Sequence, residues 1–346
     1  MESNHQEKWN LIRMLSAAVM VFVGGACLLY MSADTATAAE RVLDPDRVYT
    51  APTPQSIEPL LREGENMRSG TRYGEKTQAL LVTESDVHRG DLVLVNYANV
   101  LPEDYRPEGL ADAAAMTEAL GETDFSVTKT GMEINGAMAE KLVELVSDAW
   151  TLDGVSGYLL QSGHRDFVYQ AALHQRKIQE DRNMGFGEED AMKAAAFWVA
   201  RPRESEHHTG LAMDISSRSF PELQLAYAQT ANGIWLSENC WRYGFVIRYQ
   251  EDKSDITGIG FEPWHIRYTG LPHSGLMRQK AWCLEEYMAF LEEEGGVTYR
   301  DEGGRIWQID YQTPMADMLA VPVNQPYTWS GDGKGGYVVT TVMEQP

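Results

Sequence analysis

Cysteine is scarce in this 346-residue chain, which contains Cys27, Cys240 and Cys283 and no others. None of them lies near the chain's histidine-rich segments, which argues against a closed structural zinc site built from thiolates. Cys240 and Cys283 fall in predicted helices among apolar neighbours. We therefore expect buried free thiols, with a single disulfide between the two as the open alternative.

Positive charge is also in short supply. Lys and Arg number 29 against 51 Asp and Glu, which gives a formal net charge of −22. Nucleic acid would repel such a chain, so we predict no nucleic-acid partner, and loose adsorption to an anionic wall or lipid surface is disfavoured as well. The sequence shows no internal repeat, no phosphate-binding glycine loop and no coiled-coil heptad, and it indicates no protein partner.

Long apolar runs are limited to residues 14–31, an uncharged stretch of roughly the minimum length that spans a bilayer. The positive-inside rule places residues 1–13 in the cytoplasm and the rest of the chain outside. We therefore predict a single-pass protein of the cell membrane with an extracytoplasmic catalytic domain. The alternative is a secreted protein, because Ala36-Thr37-Ala38 has the small residues of a signal-peptide cleavage site.

Two segments carry residues suited to metal chemistry: Ser-Glu-His-His-Thr-Gly-Leu-Ala-Met-Asp at 205–214 and Glu-Pro-Trp-His at 262–265. Together they offer imidazoles, a ligating carboxylate and a spare carboxylate. A catalytic zinc site has this make-up, with three N or O ligands, an open position for water and a base beside it. The set predicts a zinc hydrolase, although the composition of the segments leaves His207 and His208 as alternatives for one ligand.

The spacing of these residues resembles that of the VanY-type D-alanyl-D-alanine carboxypeptidases, a zinc metallopeptidase family that includes VanX-like dipeptidases. The family motifs Ser-x-His-x-x-Gly-x-Ala-x-Asp and Glu-x-x-His are filled by Ser205, His207, Gly210, Ala212 and Asp214, and by Glu262 and His265. The resemblance implies that one Zn²⁺ ion is bound by His207, Asp214 and His265. It also implies that Glu262 is the catalytic base.

A third segment, Ser162-Gly163-His164-Arg165, is similar to the family's Ser-Gly-Tyr-Arg turn, with His164 where the family usually has Tyr. The resemblance implies that Arg165 binds the substrate's terminal carboxylate and helps to stabilise the oxyanion, since its planar fork suits a carboxylate. The other residues that it places at the substrate are Ser162, Gln170 and Ser205. The His164 departure puts the shape of the substrate pocket in doubt.

The order of the predicted strands and helices indicates an α+β fold, a small antiparallel sheet with flanking helices. Together with the resemblance, it implies a single zinc-containing catalytic domain behind the N-terminal membrane segment. Strands are predicted at 91–96, 157–162, 212–215, 245–249 and 264–268, and helices at 136–150 and 188–200. We divide the chain into a cytoplasmic region 1–13, a membrane anchor or signal segment 14–31, a stalk or linker 32–90, a catalytic domain 91–294 and a β-rich C-terminal extension 295–346.

The function implied is removal of the terminal D-Ala from peptidoglycan stem peptides, with the stem peptide as substrate and the membrane as a second partner through the N-terminal segment. An alternative is a D-Ala-D-Ala dipeptidase or another stem-peptide endopeptidase of the same zinc architecture. A further alternative is a non-catalytic module that binds the cell wall. Retention of Glu262 argues against the last hypothesis, because binding alone does not require a general base.

Overall fold

The structure is a computed structural model that describes residues 77–121 and 124–344. The helices in this part of the chain are α1 Ala113–Ala119, α2 Ala139–Asp153, α3 Phe167–Asn183, α4 Glu188–Trp198, α5 Ala231–Asn239, α6 Ser254–Thr257, α7 His273–Lys280 and α8 Leu284–Glu294. The strands are β1 Thr77–Leu81, β2 Leu110–Asp112, β3 Ser126–Val127, β4 Glu133–Asn135, β5 Tyr158–Ser162, β6 Ala212–Ser217, β7 Phe245–Ile247, β8 His265–Tyr268, β9 Gly296–Arg300, β10 Ile306–Gln312, β11 Met318–Pro322, β12 Tyr327–Gly331 and β13 Tyr337–Glu344.

A five-stranded sheet in the order β3-β5-β6-β8-β7 forms the centre of the molecule. All neighbouring strands in it are antiparallel except β3 and β5, which run parallel. The predicted α+β class is therefore confirmed. The expected purely antiparallel sheet becomes a mixed one because β3, a strand of two residues, adds to its edge.

Helix α2 covers one face of this sheet, as its sequence pattern predicts. Its apolar residues recur at three- and four-residue intervals and are all buried: Leu142, Leu145, Val146 and Ala149. They join Tyr158, Leu160, Met213 and Ile215 of the sheet in one apolar core. The helix ends at Gly154, which adopts a left-handed conformation with φ 68° and accommodates the reversal of the chain.

A second antiparallel sheet, in the order β12-β13-β10-β9, occupies the C-terminal region, where the sequence predicts β structure. Helices α7 and α8 pack against it, and their apolar core also includes Leu92 and Leu94. Residues on both sides of the predicted domain boundary at 294/295 thus share one apolar cluster. The division itself stays a prediction.

Two local predictions differ from the structure. Residues 92–95 are buried as expected but do not form a strand, because their backbone contacts a turn and an arginine side chain instead of a neighbouring strand. Residues 77–88, predicted as part of a linker, form β1 and a 3-10 helix, Glu84–His88, and β1 pairs with β11. The remaining linker residues, 32–76, lie outside the described part of the chain.

The predicted location as a single-pass membrane protein is corrected here. Across residues 77–121 and 124–344, no helix has both the length and the apolar character needed to cross a membrane. The segment 14–31, on which the prediction was based, lies outside the described residues. The prediction for the cysteines within the described part is confirmed, since Cys240 and Cys283 are both free and buried.

Candidate active site

Strand register brings three of the predicted site residues into one row across the central sheet. Asp214 on β6 lies opposite His265 on β8 and opposite Ser162 on β5. Side chains at directly opposed positions project to the same face of a sheet with their Cβ atoms about 5 Å apart. Residues separated by about fifty positions in the sequence are therefore neighbours because of strand pairing.

His207 reaches the same place from a 3-10 helix, Glu206–Thr209, that directly precedes β6. This helix ends at Gly210, whose φ of 74° is the left-handed conformation that glycine adopts without strain. The Nδ1–H group of His207 donates to the backbone oxygen of Gly163 at 2.7 Å. Since Nδ1 carries the proton, Nε2 presents its lone pair to Asp214.

His207, Asp214 and His265 form a buried cluster whose potential ligand atoms all lie within 4.8 Å of one another. The Asp214 carboxylate is 3.4 Å from Nε2 of His207 and 3.2 Å from Nδ1 of His265. Ligand atoms about 2 Å from one tetrahedral zinc ion are separated by about 3.3 Å. The first distance is measured to Oδ2 of Asp214 and the second to Oδ1, so each oxygen lies at that separation from one histidine nitrogen. Nε2 of His207 is buried and has no hydrogen-bond partner in the described structure, which also fits a metal ligand.

The charges around this cluster favour a cation at its centre. Burial opposes protonation of His265, but its contacts with Asp214 and Glu262 outweigh burial and raise its pKa to about 9. Burial together with the nearby charge of Arg165 lowers the pKa of His207 to about 4. Burial opposes ionisation of Asp214 too, yet His207 and Arg165 hold its pKa well below the ordinary value. The donor set and its charge thus fit a divalent metal ion such as zinc.

Glu262 lies beside the cluster, three residues before His265. Its Oε2 atom is 3.3 Å from Nδ1 of His265, and its side chain is buried. Burial raises the pKa of Glu262, although its contact with His265 opposes that shift. A carboxylate with a raised pKa at the edge of a metal site is suited to taking up and releasing a proton.

Arg165 lies on the other side of Asp214 and contacts it through Nη2. Its Nε donates to Oγ of Ser162 at 2.8 Å, and its Nη1 is 3.5 Å from Oε1 of Gln170. Gln170 is buried and donates its amide to the backbone oxygen of Ala200 at 2.7 Å. Ser162 and Gln170 therefore hold the guanidinium in place, and neither needs a direct contact with a ligand to influence the site.

One pocket of about 290 Å³ is lined by all of these side chains except that of Ser162. Its lining includes Arg165, Gln170, Ser205, His207, Asp214, Glu262 and His265, whereas Ser162 contributes only through Arg165. Further residues that sequence reasoning missed complete the walls: Leu173, Arg176, Lys177, Glu180, Trp198, Val199, Ala200, Leu223, Tyr249, Ile259 and Trp264. Tyr249 packs its ring 4.7 Å from that of His265, so it shapes the floor beside the metal cluster.

The structure separates the two adjacent histidines of the first motif. His208 is buried, its Nδ1–H group donates to the backbone oxygen of Arg165 at 2.6 Å, and its Nε2 accepts from the backbone N–H of Arg203 at 3.0 Å. Both ring nitrogens of His208 are occupied, so it supports the turn that carries Arg165 and has no lone pair for a metal. His164 also lies outside the pocket lining and faces Glu133, with Nδ1 3.7 Å from Oε2.

Sequence reasoning also missed a buried charge network beneath His265. Glu206 accepts from Arg248 and from Arg267, each at 2.8 Å, and Arg248 also contacts Glu285. Burial opposes ionisation of Glu206, but the two arginines outweigh it and lower the pKa of that carboxyl. Glu206 lies between two motif residues, and this position could have marked it as part of the site. Nothing in the sequence, however, pairs it with arginines 42 and 61 residues away.

Comparison with known proteins gives matches over the region that contains this site. The family model for VanY, described as D-alanyl-D-alanine carboxypeptidase, matches residues 131–271. A D-alanyl-D-alanine carboxypeptidase of Enterococcus faecium is 34% identical over 272 residues, which cover 79% of this chain and 81% of the relative. A protein of the same description from Enterococcus faecalis is 32% identical over 216 residues, with 62% of this chain and 71% of the relative covered.

Among solved structures, the chain is similar to the vancomycin-resistance D,D-dipeptidase VanXYg in complex with a D-Ala-D-Ala phosphinate analogue. The TM-score is 0.63 at 25% sequence identity, and the match covers 77% of this chain and 99% of that chain. The match to the family model thus includes the metal cluster and Glu262.

Proposed function

Since the chain belongs to the VanY family of D-alanyl-D-alanine carboxypeptidases, we propose that it removes the terminal D-Ala from peptidoglycan stem peptides with one zinc ion held by His207, Asp214 and His265. The observation that carries this proposal is the buried cluster of three ligand atoms within 4.8 Å of one another, with the Glu262 carboxylate beside it. Zinc bound there supplies a Lewis acid that polarises a carbonyl and lowers the pKa of water.

The chain's own residues supply the remaining steps. Arg165 binds the free carboxylate of the stem peptide, and Ser162 and Gln170 orient its guanidinium. Glu262 takes a proton from the attacking water at Oε2 and returns it to the leaving amine of D-Ala. Arg165 also stabilises the negative charge that develops on the carbonyl oxygen. Ser205, which lines the pocket, is proposed to contact the substrate backbone.

A dipeptidase is the second candidate, supported by the likeness to the D,D-dipeptidase VanXYg. The two activities share one bond type, cleaved either at the end of a stem peptide or in free D-Ala-D-Ala. They differ in whether the pocket extends beyond the terminal pair of residues. Arg176, Lys177 and Trp198 line the same pocket in addition to the residues of the metal cluster, which supports a substrate longer than two residues.

The test offers the zinc-loaded full chain a stem pentapeptide ending in D-Ala-D-Ala and, in parallel, free D-Ala-D-Ala, with products identified by mass spectrometry. We expect release of a single D-Ala from the pentapeptide, lowered by about 10²- to 10⁴-fold in Glu262→Gln at unchanged zinc content. Glu251→Gln removes the same charge from an exposed position outside the pocket and serves as the matched control.

Each result assigns the chain to one hypothesis. Cleavage of the free dipeptide alone would make it a dipeptidase, and cleavage of an internal stem-peptide bond would make it an endopeptidase. Pentapeptide binding without cleavage by the zinc-loaded protein would favour the binding module. Equal activity in Glu262→Gln and Glu251→Gln would remove Glu262 from its proposed role.

A further inference from the structure

Glu206 is fully buried, yet the proposed reaction does not use it. Its Oε1 atom accepts hydrogen bonds from Nε of Arg248 and Nη1 of Arg267, both at 2.8 Å. Its Oε2 atom has no hydrogen-bond partner in the described part of the protein and lies 4.0 Å from Nε2 of His265. One oxygen of this carboxylate is thus held firmly, and the other is directed at a residue of the metal cluster.

His265 needs a specific arrangement of its ring proton. Its Nδ1 atom faces the carboxylates of Asp214 and Glu262 and is the nitrogen placed to bind a metal. A neutral imidazole that binds metal through Nδ1 carries its proton on Nε2. That Nε2 atom is buried and, within the described structure, has no hydrogen-bond partner. The two unpartnered atoms, Oε2 of Glu206 and Nε2 of His265, therefore face each other.

We infer that Glu206 is a positioning residue, whose carboxylate keeps the proton of His265 on Nε2 and so fixes Nδ1 as the metal-binding nitrogen. This inference rests on the proposed metal site. The separation of 4.0 Å exceeds an N–H···O hydrogen bond by about 1 Å, so the inferred hydrogen bond requires the two side chains to approach by that distance when the metal binds. The separation is too short to accommodate a bridging water, so the inferred contact needs no water between the two groups.

The surrounding structure fixes both partners of this contact. Glu206 precedes His207 in the same 3-10 helix, so one turn of chain supplies a metal ligand and the support of another ligand. Arg267 follows His265 by two positions on β8 and therefore projects from the same face of the strand. Histidine ligands of metals generally donate their second N–H to such an acceptor, which orients the ring.

The charges of this network balance. Glu206 and Glu285 carry two negative charges opposite the positive charges of Arg248 and Arg267. Glu285 contacts Arg248 and Asn96. Replacing either glutamate by glutamine thus removes one negative charge from the same network, but only Glu206 faces the metal cluster. Glu285→Gln is consequently a matched control for Glu206→Gln.

In Glu206→Gln the arginines retain the side-chain oxygen, so the amide NH₂ group faces Nε2 of His265 and favours the wrong tautomer. We expect the zinc affinity, measured by competition with a chelator, to fall by about 10- to 100-fold. Glu285→Gln should change it less than about threefold. With ¹⁵N-labelled histidine, NMR of the zinc-loaded wild type should place the His265 proton on Nε2 with the downfield shift of an N–H group that donates to a carboxylate, and the zinc-loaded Glu206→Gln protein should show this resonance moved upfield.

If Glu206→Gln does not fold, Glu206→Asp keeps the charge at the arginines but withdraws the carboxylate from His265, and it should also weaken zinc binding. Equal zinc affinities in wild type and the folded Glu206 variants would overturn the inference, as would an equal loss in Glu285→Gln. A wild type that binds no zinc would instead overturn the proposed metal site, and this inference with it.

Discussion

The Nδ1–H group of His207 donates to the backbone oxygen of Gly163 at 2.7 Å, two residues before Arg165. This contact joins the 3-10 helix that carries His207 to the turn that carries Arg165, the residue proposed to bind the substrate. It also sets the ring of His207 so that Nε2 faces Asp214 at 3.4 Å. The metal site and the substrate site therefore share one structural support.

Zinc should stabilise the fold through the cluster. Binding to the native state alone at about a thousand times the dissociation constant contributes about 4 kcal/mol. We expect zinc to raise the unfolding temperature of the wild type but not that of His207→Ala or Asp214→Asn. His208→Gln, a change at the neighbouring histidine whose nitrogens are both occupied, should retain the zinc-dependent rise. A rise in Asp214→Asn equal to that of the wild type would contradict the ligand assignment.

Arg165→Lys should weaken substrate binding more than it slows chemistry. Lysine keeps the charge but loses the fork that contacts Asp214 and Ser162. Loss of charged hydrogen bonds should raise the KM for a pentapeptide by about 10- to 100-fold. Ser162→Ala, which removes only the contact to Nε, should raise it by a smaller factor. Steady-state kinetics of the two variants checks this order, and a larger effect in Ser162→Ala would refute it.

Gly210→Ala should destabilise the protein and impair metal binding. A Cβ atom there would lie 2.5 Å from Cδ2 of Leu110 at a backbone φ of 74°. Gly154 has a similar φ of 68° but no atom within 4 Å of such a Cβ, so Gly154→Ala isolates the backbone strain.

Urea unfolding measures the two contributions. Gly154→Ala should lower the free energy of unfolding by about 1 kcal/mol. Gly210→Ala should lower it by about 1–3 kcal/mol more because of the added clash. Only Gly210→Ala should also lower zinc affinity, since it displaces the loop between His207 and Asp214. An equal loss of unfolding free energy in the two variants would mean that Leu110 moves aside without strain.

His273 should make stability depend on pH well away from the active site. Its Nδ1 is 2.6 Å from Oη of Tyr287 and its Nε2 is 3.1 Å from Oγ1 of Thr340, and burial lowers its pKa to about 3. The folded state thus favours neutral His273. Its contribution is fully present above the unfolded pKa near 6.5 and is lost as pH falls from there towards 3.

The comparison with His273→Gln isolates this effect from that of the metal-site histidines. The free energy of unfolding of the wild type should fall relative to that of His273→Gln by about 1.4 kcal/mol per pH unit below pH 6.5. Urea unfolding at pH 7.5, 6 and 5 would measure the difference. Parallel pH profiles for the two proteins would show that His273 ionises normally in the folded state.

Short-range patterns predicted much of the fold because helix and strand periods are local properties. The apolar face of α2 and the strand predicted at 212–215 both follow from residues within a few positions of one another. The strand predicted at 91–96 does not form, because a local pattern carries no information about strand pairing. Burial of Leu92 and Leu94 is a local property of an apolar run, but pairing with another strand is not.

The same distinction between local and long-range information applies to the site. The resemblance to the family motifs implied the ligand set, and the structure brings those residues together through strand register at Asp214 and His265. The network of Glu206, Arg248 and Glu285 could not be predicted, because its members come from a 3-10 helix, the residue after β7 and α8. Each is an ordinary charged residue in the sequence, and only long-range packing makes them buried partners.

The direct contact between Arg165 and Asp214 fixes the distance between the guanidinium group and the metal cluster. A peptide whose carboxyl end rests on Arg165 presents to the neighbouring metal cluster the bond just one residue back, since consecutive Cα atoms are about 3.8 Å apart. With Arg165 in its proposed role, the distance from the free carboxyl end of the substrate therefore sets the position of the cut. The position of the cut should therefore depend more on the presence of a free carboxyl end than on the identity of the residues that precede it.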